Sequence, residues 1–106
     1  MELNNNNNNN KGILKELKRV HVFISGRVQG IFFRSFIQRR AMMLELKGWV
    51  RNTDDDRVEC VFEGTESRIQ SMLEHCRQGP PGASVENVEV KKEEPTNAFT
   101  GFGIRY

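Results

Sequence analysis

The sequence predicts an α+β domain of two layers. Runs of apolar residues alternating with a period of two are interspersed with two runs in which apolar residues recur at three- and four-residue steps, and glycine- or proline-bearing turns separate them. With 106 residues, 37% of them apolar and 28% charged, the chain can build one core and one domain.

The first dozen residues are expected to stay out of that domain. Residues 4 to 10 are all asparagine, and a segment with no apolar side chain has nothing to offset the entropy of ordering it. A disordered tail and lead-in over 1–17 is therefore expected, with the domain over 18–106. The head lacks the basic start and apolar stretch of a secretory signal, and no apolar run nears the roughly 18 residues that suggest a membrane span. A soluble cytoplasmic protein with no membrane association is the expectation, most simply a monomer.

Val20, Val22 and Ile24 alternate with His21, Phe23 and Ser25, which predicts a strand with one buried face. Phe33, Phe36, Ile37, Ala41 and Leu44 then fall on one face of a helix expected from Phe33 to Leu46. Met42 and Met43 are read as gap-filling core residues. Strands are predicted over Lys47–Asn52 and Arg57–Glu63, joined through Thr53, Asp54, Asp55 and Asp56, polar residues suited to a hairpin turn. Val58, Cys60 and Phe62 share a face of the second strand.

Thr65 is a candidate N-cap for a second helix carrying Ile69, Met72, Leu73 and Cys76 at helical spacing, and Gly79-Pro80-Pro81-Gly82 ends it. Strands over Val85–Lys92, irregular near Glu86 and Asn87, and over Phe99–Tyr106 complete the chain. The order strand, helix, strand, strand, helix, strand, strand predicts two helices on one face of an antiparallel sheet, the split βαβ or ferredoxin-like arrangement.

Cys60 and Cys76 form no CxxC pair and have no histidine at ligand spacing, so buried reduced thiols are expected and no metal or other cofactor is implied. His21 and His75 are read as structural. The net charge of +2 conceals an uneven distribution: Lys11 to Asn52 carries +8 and Thr53 to Tyr106 carries −5. The basic half suits an anion site, although a solvated basic face would have the same composition.

That half contains Ser25-Gly26-Arg27-Val28-Gln29-Gly30-Ile31-Phe32-Phe33-Arg34. A strand that runs through a glycine-bearing loop into a helix start presents backbone N–H groups that no helical carbonyl can satisfy, where the helix dipole favours an anion. Gly26 and Gly30 permit positive φ, and Arg34 supplies a planar fork of donors matched to phosphate oxygens. A plain turn has similar spacing, so from the residues alone both readings stand. No Gly-Lys-Ser/Thr follows, which excludes a Walker loop.

The run Gly26 to Arg34, followed by Gly48-Trp49-Val50-Arg51-Asn52, resembles the two signature motifs of the acylphosphatases, small hydrolases of carboxyl-phosphate mixed anhydrides that need no metal. The similarity extends from about Arg19 to Tyr106 and implies the ferredoxin-like fold and a small acyl phosphate as substrate. By position it implies a phosphate loop of Arg27, Val28, Gln29, Gly30, Ile31, Phe32 and Phe33, a phosphate-binding Arg34, and Asn52 orienting the attacking water. Read without the family, Asn52 is a turn residue, Trp49 a packing residue and Arg51 a surface charge. Asp56 stands where the family usually has glycine, but aspartate tolerates a left-handed backbone. Ile31 stands where valine is common.

Two other readings fit parts of the sequence. A non-catalytic anion- or RNA-binding module shares a related fold, but its aromatic signature belongs on the third strand, which here carries Glu59 and Glu63; no nucleic-acid partner is expected. A carbamoyl-phosphate-handling acylphosphatase-like domain of a hydrogenase-maturation protein would continue into cysteine-rich zinc segments.

Overall fold

Val20, Val22 and Ile24 are buried on one side of β1 (Lys18–Arg27), while Arg19, His21 and Phe23 face outward. That alternation fixes which face meets the helices, because a slip of one residue would turn the apolar set to solvent. The computed structural model describes residues 16–106, and the asparagine run lies outside the described residues.

After β1 come α1 (Phe33–Met43), β2 (Lys47–Asn52), β3 (Val58–Gly64), α2 (Glu66–Gln78), β4 (Ser84–Glu93) and β5 (Phe102–Arg105). The sheet runs β4-β1-β3-β2-β5, and the pairs β4–β1, β1–β3 and β3–β2 are antiparallel. This is the ferredoxin-like arrangement, with one departure from an all-antiparallel sheet. β5 joins the far edge parallel to β2, Gly48 opposite Phe102 and Arg51 opposite Arg105. Both helices lie on one face, α1 over β2 and β5 and α2 over β4, β3 and β1. Between the layers the core joins Val20, Val22, Ile24, Val50, Val58, Cys60 and Phe62 to Phe33, Phe36, Ile37 and Ala41 of α1 and Ile69, Met72, Leu73 and Cys76 of α2.

α1 is shorter than the periodicity predicts. Glu45 adopts φ 57°, the Leu46 N–H donates to the Ala41 carbonyl at 2.9 Å and the Glu45 N–H to Met42 at 3.0 Å. This is a Schellman stop, in which a left-handed residue turns the chain and leaves the next apolar residue, buried Leu46, under the helix end. Met42 and Met43 do not fill the core. They are 59% and 73% exposed, because the buried stripe of α1 passes through Ala41 and leaves both on the open side. Thr65 does occupy the N-cap of α2, yet its side chain makes no capping bond.

The outer face of the sheet carries charge in pairs. His21 lies between Glu59, 2.6 Å from Nε2, and Glu93, 2.9 Å from Nδ1. Arg51 pairs with Glu59 and Arg19 with Glu93. Arginines also cover the aromatics of this face, Arg57 over Phe23 at 4.5 Å and Arg105 over Trp49 at 4.4 Å. The crossing from β4 to β5 is tied at one end of this face, where the Thr96 N–H donates to buried Glu63 and Phe99 stacks on Arg19. Crossing there lets the chain pass from one sheet edge to the other.

Two expectations follow from this packing. Burial pushes the Cys76 thiol up to about 12 and the Cys60 thiol well up as well, and the thiolate is the reactive form. Native protein at pH 8 should leave both thiols unmodified by a disulfide reagent over an hour, and denaturant should expose both. The hydrogen bond from His21, together with the charges of His21 and Arg19, outweighs desolvation and holds the Glu93 carboxyl below the usual glutamate range. A carboxyl lowered in the folded state stabilises the fold above its unfolded pKa, and that contribution is lost as pH falls through the lowered value. Glu93→Gln should melt roughly 2–4 °C lower at pH 6, and the difference should close below about pH 4.

Candidate active site

β1 stays paired with β4 through Arg27, opposite Ser84, and a bulge shifts the register between Ser25 and Gly26. The expected irregularity near Glu86 and Asn87 lies on the facing strand at this bulge. Gly26 has φ 125°, and a Cβ there would lie 2.1 Å from the Ser84 carbonyl oxygen. Only glycine allows the strands to approach so closely.

From Val28 to Phe32 the chain reverses into α1. Val28 is buried and fastens the start of the loop to the core. Gly30 (φ 74°) and Phe32 (φ 61°, ψ 27°) both adopt left-handed backbone, which costs glycine nothing and an ordinary L-residue about 1–2 kcal/mol. Among the described residues, the backbone N–H groups of Gln29 to Ser35 find no backbone carbonyl. No acidic residue sits in the first turn of α1, and its N-cap, Phe32, has no side-chain acceptor to offer. The positive end of the helix is thus left for an external anion. Arg34, in that first turn, lies with its guanidinium 4.7 Å from the centre of the Tyr106 ring.

Asn52 ends β2, paired with Val58. The hairpin after it is set by the Thr53 hydroxyl, which accepts from the Arg57 N–H at 3.0 Å and contacts the Asp55 carboxylate. That contact, with the nearby Arg57 charge, keeps the Asp55 carboxyl low. Asp56 supplies the left-handed residue, φ 69°, in place of glycine. The Gln29 side chain then joins loop to hairpin: its Nε2 donates to the Thr53 carbonyl at 3.0 Å and to the Arg57 carbonyl at 2.9 Å.

These elements enclose a cleft of 380 Å³ lined by Val28, Gly30, Phe32, Phe33, Arg34, Ser35, Asn52, Ile104 and Tyr106. It brings together Arg34, Asn52 and four of the loop residues singled out in the sequence. Arg27, Gln29 and Ile31 do not line it: Arg27 is the exposed last residue of β1, Gln29 braces the hairpin, and Ile31 packs against the core. Ser35, Ile104 and Tyr106 were not singled out. Helical position after Arg34 signals Ser35, and the alternation Phe102, Ile104, Tyr106 gives the last two a common face. What the pattern leaves unspecified is that β5 runs parallel to β2 and so ends beside Asn52.

Gln29 braces the hairpin without entering the cleft, so its loss should act through the placement of Asn52. If Asn52 places the attacking water, as the sequence resemblance implies, Gln29→Ala should lower turnover about tenfold and change the inhibition constant of inorganic phosphate by less than about twofold. A matching loss of phosphate affinity would show that Gln29 acts on the anion and not on the hairpin.

A family profile described as acylphosphatase matches residues 20–104. An acylphosphatase of Chloroflexus aurantiacus is 56% identical over 81 residues, 76% of this chain and 88% of the relative. One from Rubrobacter xylanophilus is 47% identical over 91 residues, 86% of this chain and 83% of the relative. Among solved structures, the crystal structure of acylphosphatase from Bacillus subtilis superposes with a TM-score of 0.81 at 37% identity, covering 86% of this chain and all of that one. The fold, the loop entering α1 and these similarities lead to one assignment: the chain belongs to the acylphosphatase family.

Proposed function

We propose that this enzyme hydrolyses acyl phosphates to carboxylate and inorganic phosphate, with the phosphoryl group held by the loop from Val28 to Phe33 and by Arg34, and water aimed by Asn52. The observation that carries the reading is the convergence of three separate elements on one cleft: the unpaired amides entering α1, the Arg34 guanidinium, and the side chain that ends β2. Inward amides stabilise charge on phosphoryl oxygens at fixed positions, without reorganisation at the moment of reaction. Arg34 adds a charge-assisted fork.

The carboxylate of an acyl phosphate is a good leaving group, so placement of water in line with the breaking P–O bond is the main remaining demand. The Asn52 amide can accept from and donate to that water. Among the described residues, no acidic or imidazole side chain lines the cleft, so a phosphoryl oxygen of the substrate takes the proton of the attacking water. Product carboxylate and phosphate then leave the open cleft.

Arg34 and Asn52 should separate by role. Arg34→Ala removes donors used by bound and reacting phosphoryl alike, so turnover falls, KM rises, and inorganic phosphate no longer raises the melting temperature. Asn52→Ala should cut turnover by about a hundredfold or more and keep phosphate protection near normal, since orientation of water matters chiefly in the transition state. Near-full turnover in Asn52→Ala, or a loss of phosphate protection as severe as in Arg34→Ala, would overturn the assignment of Asn52.

A further inference from the structure

Phe32 and Tyr106 are set apart from the other aromatics of the described chain. Phe33, Phe36, Phe62 and Phe102 are buried, and Phe23, Trp49 and Phe99 lie under arginines on the outer sheet face. Phe32 is 83% exposed and Tyr106 96% exposed, and both stand on the wall of the same cleft. A single exposed apolar residue needs no explanation. Two large rings flanking one polar site, one of them held out on left-handed backbone that a bulky residue ordinarily avoids, do.

The size and charge of the cleft point the same way. Its 380 Å³ lies in the range of roughly 300–1,000 Å³ typical of pockets that take a whole small molecule, and a phosphoryl group fills only part of it. Among the described residues, its lining contains no acidic side chain and Arg34 is its only cation. With Arg34 engaged by phosphoryl, a second negative charge on the substrate would meet aromatic faces and Ile104.

We propose that Phe32 and Tyr106 form the acyl side of the substrate site, selecting acyl phosphates with a flat, apolar acyl group over those with a very small or a charged one. This rests on the reading of the loop and Arg34 as the phosphoryl site. The aryl group stacks between or against the two rings, while Tyr106 keeps its contact with Arg34 and leaves the guanidinium edges for phosphoryl oxygens.

Phosphonates test the subsite apart from turnover, since they carry the anion and are not hydrolysed. By calorimetry, benzylphosphonate should bind about three- to tenfold more tightly than methylphosphonate, the range expected of one aromatic contact, and phosphonoacetate no more tightly than methylphosphonate. Phe32→Ala and Tyr106→Ala should each reduce the benzyl-to-methyl ratio, the double variant should bring it near one, and Phe32→Tyr should restore it. Using the ratio cancels any common effect of Tyr106→Ala on Arg34. Equal affinities in the unaltered protein, an unchanged ratio in the double variant, or phosphonoacetate binding most tightly overturns the subsite and leaves the phosphoryl site standing. Failure of every phosphonate and of inorganic phosphate to bind overturns both. In turnover, the kcat/KM ratio of benzoyl phosphate to acetyl phosphate should fall in the same variants; a ratio that does not move contradicts the subsite.

Discussion

The reversal from β1 into α1 is the constraint on which the site depends. Arg27 is still paired in the sheet and Phe33 is already helical, so only Val28 to Phe32 are available to turn the chain over the sheet edge. A turn that short cannot satisfy its own amides, and it requires left-handed backbone at Gly30 and Phe32. The strain at Phe32 persists because both ends of the loop are held. Val28 and Phe33 are anchored in the core, and Gln29 is tied to the hairpin. Unpaired donors, strain and rigidity arise from the same geometry, and together they suit the anion cradle proposed for this loop.

Electrostatics elsewhere in the molecule keep that cradle positive. Arg19, Arg51, Arg57, Arg68 and Arg77 each have a carboxylate partner. Arg34 instead contacts the face of an aromatic ring, which leaves the edge of its guanidinium, where the N–H donors lie, available to oxygen. The acidic residues contributed by the second half of the sequence are largely spent on the outer sheet face and the hairpin. Within the basic stretch of sequence, Lys18, Arg19 and Arg51 are spent on carboxylate partners away from the loop.

Local patterning made much of this readable. The alternation around Val22, the spacing of Phe33, Phe36, Ile37 and Ala41, and the polar turn before Arg57 each reflect burial of one face, which a short window of sequence records. Gly26 and Gly30 were legible because few other residues take the backbone those positions require. The missed features are those settled by distant parts of the chain. Glu45 ends α1 with a left-handed turn that no glycine announces. The exposure of Met42 and Met43 follows from where α1 lies on the sheet. The parallel pairing of β5, which brings Ile104 and Tyr106 to the cleft, depends on a crossing fixed by Glu63 and Arg19. The bonds of Gln29 depend on the shape of a hairpin more than twenty residues away.

The distribution of stability between core and loop follows from these roles. The core packs two helices against the sheet's inner face and is indifferent to ligand, whereas the loop holds unpaired amides and a strained residue that contribute nothing favourable until an anion arrives. On the proposed reading, binding energy from phosphoryl oxygens is realised where the fold's own hydrogen bonding is least satisfied. Since the amides already stand in place, little of that energy goes into ordering the loop. Asn52 is independent of this exchange, because it is positioned by the β2–β3 ladder and by the Gln29 brace and not by the anion. With the roles proposed above, one set of groups holds phosphate and another directs water, so that anion affinity and turnover can vary separately on a single small scaffold.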